Sequence, residues 1–156
     1  MRTLTWILLF GSVSMSSTSW AADDVAAAQR AAFTRALLLT GLQSEQLPIE
    51  LASALPWQAS RGAEAWTVYN ERNQPERIFV YTGSKLFQCA SRPRADLQCV
   101  WKLASILVHE AWHFRHGRDE AGAYNAQLAF LIHNGSDNEA SAVRRARDRV
   151  LAARPR

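Results

Sequence analysis

The spacing of apolar and polar residues divides this chain into a helical start, a strand-rich middle and a helical second half. Residues 25–42 follow Asp23 and Asp24, run through alanine and leucine, and meet Gly41 near their end, which predicts a helix. Phe33, Ala36, Leu37 and Thr40 form its expected buried stripe. Residues 47–56, framed by Pro48 and Pro56, read as a short helix or turn. Residues 65–70 and 77–82 are rich in strand formers, and the Arg72-Asn73-Gln74-Pro75 turn separates them. Residues 86–89 form a candidate third strand.

Beyond Pro93 the periodicity changes. Asp96 is a good N-cap, and residues 97–116 are apolar nearly all round, as in a helix buried on most sides. Gly117 is the expected stop. Residues 120–132 predict a second helix, closed by Asn134-Gly135. Ser136 to Glu139 resembles a capping box that opens a last, arginine-rich helix. The sum is an α+β domain: a short antiparallel sheet, then a buried helix, a second helix and a C-terminal helix.

His109, Glu110 and His113 interrupt the largely apolar helix as one cluster, His109-Glu110-Ala111-Trp112-His113. Residues four apart lie on one helix face, about 6 Å apart along the axis. Two imidazoles so placed can converge on one ion. The glutamate between them lies at the edge of that face, within reach of water beside the ion. A metal would satisfy all three costly groups together. Without one, the histidines would bond to backbone and Glu110 would pair with an arginine such as Arg115 or Arg77. A further carboxylate, Glu120, stands seven residues after His113, and small Ala123 on the same helix face would let the two helices approach.

The stretch HEAWHFRHGRDEAGAY, with a strand-rich segment before it, resembles the zincin metallopeptidases, in the gluzincin branch that carries a glutamate on the following helix. That resemblance implies a zincin-like fold, Zn²⁺ held by His109, His113 and Glu120, and Glu110 as general base in peptide-bond hydrolysis. Asp119 is the rival third ligand. It stands at the last position of the related pattern His-Glu-x-x-His-x-x-Gly-x-x-His/Asp, although His116 occupies the glycine place and Gly117 falls one late. Glu120 ranks first and Asp119 second. His116 lies about 11 Å along the helix from His109 and is assigned to the surface or to support of the site. Tyr124, one turn beyond Glu120, is either a donor to the oxyanion or an aromatic packed between helices. Residues 78–82 are the candidate edge strand for an extended polypeptide substrate. The small domain leaves little room for a deep cleft.

Composition adds the compartment. Arg2, an apolar run over residues 4–13 and a small-residue tract ending at Ala21 have the layout of a signal peptide over residues 1–21, with one domain over 22–156. The apolar run is about half of what a membrane span needs. A periplasmic or secreted chain meets oxidising conditions, where Cys89 and Cys99 are expected to pair. The net charge of +4 is concentrated late, in Arg144, Arg145, Arg147, Arg149, Arg154 and Arg156. A solvated helix face explains most of it, and contact with an anionic envelope surface comes second. Nucleic acid is not an expected partner of an exported chain. Two other classes stay in view: a zincin-like metal-binding or assembly module without peptidase activity, and a small helical interaction protein with no metal.

Overall fold

The computed structural model describes residues 18–42, 47–56, 59 and 62–153, with the side chains of residues 18–21 left aside. Five helices and three strands are described: α1 (Thr18–Thr40), β1 (Ile49–Ala52), β2 (Ala65–Tyr69), β3 (Pro75–Tyr81), α2 (Lys85–Ala90), α3 (Leu97–His116), α4 (Glu120–His133) and α5 (Asp137–Ala152). Residues 1–17 of the expected leader lie outside the described residues, and α1 begins at Thr18 rather than near Val25. None of the described helices is long and apolar enough to cross a membrane.

The sheet is mixed, with strand order β1-β3-β2. β3 runs antiparallel to β2 and parallel to β1, so the all-antiparallel sheet expected from the sequence is corrected here. Residues 47–56 supply the parallel strand instead of a helix or turn. Ile49 and Leu51 face the core in register with Ile78 and Val80, both fully buried. Burial of those side chains outweighs the proline frame, because Pro48 and Pro56 fall outside the four paired residues. Residues 86–89 are helical rather than a third strand. Ser84 caps α2 by accepting from the Phe87 N–H, and Leu86, Phe87 and Ala90 turn inward at helical spacing.

α3 is the organising helix. Asp96 caps it by accepting from the Gln98 N–H, and Gly117 ends it as expected. Val100, Leu103, Ala104 and Leu107 fill the main core with Ala32, Ala36 and Leu37 of α1 and Val80 of β3. Cys89 and Cys99 form a disulfide that ties α2 to the first turn of α3. Closing a loop of this size stabilises a fold by about 2–3 kcal/mol. The capping box expected at Ser136 is not formed, since that side chain makes no cap hydrogen bond.

α4 packs closely on α3. Ala123 is fully buried in that contact, as its size suggested. The tighter constraint is its neighbour, Gly122. A Cβ placed there would overlap the Trp112 indole nitrogen and the Asp119 carboxylate. The Gly122→Ala variant is expected to lose about 1–3 kcal/mol of stability, the usual cost of overpacking. Chemical denaturation measures it, and an unchanged midpoint would show that Trp112 gives way freely.

Candidate metal centre

His109 and His113 lie one turn apart on the cleft side of α3, and Glu120 opens α4 opposite them. The reversal between the helices is made by Gly117, at φ 74° and ψ −155°, a conformation that glycine alone adopts without strain. Its carbonyl accepts from the Asp119 N–H at 2.9 Å and from His113 Nδ1 at 2.9 Å. A carbonyl only accepts, so Nδ1 carries the proton and His113 Nε2 presents its lone pair. His109 has no matching support. Its Nδ1 is buried without a partner among the described residues, and its ring is held edge-on against Tyr124, centroids 4.7 Å apart.

Three ligating groups converge. His109 Nε2 and His113 Nε2 are 3.1 Å apart. The Glu120 carboxylate places Oε2 3.5 Å from His109 Nε2 and Oε1 3.4 Å from His113 Nε2. Donors held about 2.0–2.1 Å from a tetrahedral ion stand roughly 3.3–3.4 Å from one another. Glu120 turns a different oxygen to each imidazole, and with one ligand atom from each residue the three lie within 4.8 Å of one another, so His109, His113 and Glu120 form a group that can hold a metal ion. Asp119, the rival ligand, is not among them. It stands at the N-cap of α4, exposed, without a side-chain cap bond. His116 stacks on Trp112, ring centroids 3.9 Å apart, and is not part of the triad.

The electrostatics fit an anion beside two imidazoles. Hydrogen bonds to His109 and His113 hold the Glu120 carboxyl well below the usual carboxylate range. Burial pulls the His113 imidazole down, but the bonds to Glu120 and the Gly117 carbonyl, with the charge of Glu110, leave it raised. Glu110 is buried, and burial pushes its carboxyl up against the opposing effects of the Thr67 hydrogen bond and the two imidazoles. Thr67 donates to Glu110 Oε2 at 2.7 Å. Neither Arg77 nor Arg115 pairs with Glu110, and Arg77 bonds Glu50 at 2.6 Å on the sheet surface instead.

A raised folded value means that ionised Glu110 costs the fold. Its protonated form is present in both states below the unfolded value near 4.5, and stability is lost as pH rises through the folded value. Metal-free Glu110→Gln is therefore expected to melt above the metal-free parent at pH 7, with the gap closing toward pH 4. Thermal unfolding of chelator-treated protein checks this; a parent that melts higher at pH 7 contradicts it.

The triad lines an open cleft of about 1000 Å³. One side is β2, whose outer edge is unpaired among the described residues. Residues 78–82, expected to be the edge strand, overlap β3, which is bonded on both sides and offers no edge. Alternation along β2 turns Thr67 and Tyr69 toward α3 and Trp66 to the outer face, stacked on Phe79 with centroids 5.4 Å apart. Leu55 and Pro56 also line the cleft. Arg118 sits at its rim, its guanidinium 4.4 Å above the Tyr69 ring. Tyr124 borders a smaller neighbouring cavity of about 290 Å³ that also reaches His109 and Glu110. Burial raises its phenol, helped by Glu120 and Glu110 and opposed by Arg149.

Thr67, Tyr69 and Arg118 carried no sequence signal for the site. The only hint is the alternation of β2, which puts Thr67 and Tyr69 on one face without saying what that face meets. Comparison with protein-family models, with curated proteins and with solved structures finds no match to this chain.

Proposed function

We propose that this protein is an exported zinc-dependent metallopeptidase with a zincin-like site. One observation carries the reading: three metal donors converge beside a buried glutamate that is not one of them, in the lining of an open cleft. A purely structural zinc site uses four protein donors and has no need of a base, whereas a hydrolytic one uses three. Zinc held by His109, His113 and Glu120 would supply a Lewis acid that polarises a carbonyl and acidifies water.

The chain's own groups do the rest. Glu110 takes the proton of the attacking water and passes it to the leaving nitrogen. Its raised carboxyl suits a group that must hold a proton between those steps. The Thr67 hydroxyl fixes the angle of that carboxylate. Tyr124, packed against His109, is the proposed donor to the oxyanion. An extended polypeptide would add to the free edge of β2, its backbone pairing with the strand and its side chains entering the cleft. The disulfide suits an oxidising compartment, in keeping with export. Arg144, Arg145 and Arg149 lie exposed on α5 and could hold the domain against an anionic envelope surface.

The test is hydrolysis of a denatured protein mixture by purified protein, with metal content measured in parallel. Turnover should vanish on chelation and return with zinc. Bound zinc without turnover would favour the metal-binding or assembly module, and protein that takes up no zinc would end both readings.

A further inference from the structure

We propose that Arg118 sets the specificity of the cleft, by gripping a carboxylate on the substrate. The inference rests on the peptidase reading and names the substrate class of that same site. Among the described residues that line the cleft, Arg118 is the only arginine or lysine. Among the described residues its side chain makes no hydrogen bond, and no carboxylate lies within 4 Å of it. Glu120, two residues on, turns its carboxylate to the imidazoles instead.

Arg118 is nonetheless held in place. Its guanidinium lies over the Tyr69 ring, and Tyr69 is fixed by β2 and by its hydroxyl, 3.5 Å from the His113 carbonyl. Stacking engages the flat face of a guanidinium and leaves its N–H fork free around the rim. That fork matches the two oxygens of a carboxylate. The Trp66–Phe79 stack, with Leu55 and Pro56, lines the same cleft from the other face of β2. A positioned fork at the rim of the cleft, with no carboxylate of the described residues on it, describes a site for an anion carried by the substrate. The carboxylate has two sources, the free end of a chain or an acidic side chain, and both present the same group to Arg118.

Binding to the chelator-treated full chain tests this without turnover and without a metal competing for the carboxylate. Three peptides serve as probes: acetyl-Ala-Phe-Ala with a free carboxylate, acetyl-Ala-Phe-Glu amide and acetyl-Ala-Phe-Gln amide. NMR titration follows the Trp66 indole and Arg118 side-chain N–H signals. At least one acid should bind roughly tenfold or more tightly than the Gln amide, the size expected of a charge-assisted hydrogen bond. Which acid gains identifies the source. The advantage should disappear in Arg118→Gln and survive in part in Arg118→Lys. Equal binding of all three, binding of none, or an advantage that persists in Arg118→Gln overturns the proposal. A failed zinc-hydrolysis assay would leave this result standing, so the two readings fail separately.

Discussion

Zinc content should fall from a stoichiometric ion to near zero when either His109 or His113 is replaced by alanine. Two imidazole nitrogens 3.1 Å apart are a repulsive pair of lone pairs unless a proton or a cation lies between them. Removing one leaves an imidazole and a carboxylate, and two donors do not make a stable site for a borderline-soft cation at neutral pH. The His113 variant should suffer more in stability, because His113 also anchors the Gly117 turn through Nδ1. Elemental analysis of dialysed protein measures the ion, and a melting curve measures the second effect. Full zinc retention in either variant would remove that imidazole from the site.

The second large effect separates the base from the ligands. Glu110→Gln should keep its zinc and lose about 10²–10⁴-fold in turnover, the range spanned by a general base. Glutamine has the same shape and can still accept from the Thr67 hydroxyl, so the pocket should hold its form. It cannot carry the proton. The variant is informative because metal content and rate are read on one sample. Zinc lost along with activity would make Glu110 a ligand, and activity kept would give the base to another group.

What could be read from the sequence follows the distance over which each feature is decided. α3 announces itself in twenty consecutive residues, with Asp96 at one end and Gly117 at the other, and it forms over that span. The His109–Glu110–His113 cluster is equally local, because helix geometry alone stacks residues four apart. Glu120 was legible through the turn that follows. β1 was not, since its four residues are a strand only by virtue of pairing with β3 across the chain. The apolar run at residues 86–89 is too short for its period to separate strand from helix, and the Ser84 cap that opens the helix is seen only in the structure. Thr67 meets Glu110 across 43 residues, and no local pattern encodes that contact. The edge strand was misassigned for the same reason: residues 78–82 look like any good strand, and position within a sheet is a property of the partners.

The carbonyl of Gly117 reaches both His113 and the first turn leading into α4. Ligand placement and chain reversal are therefore one structure, and neither can drift without the other. Shifting the acidic residue one place along α4 would swing its carboxylate about 100° around the axis, off the imidazoles altogether. The seven-residue interval between His113 and Glu120 thus works as a ruler. An insertion or deletion inside it would erase the centre as completely as deleting a ligand.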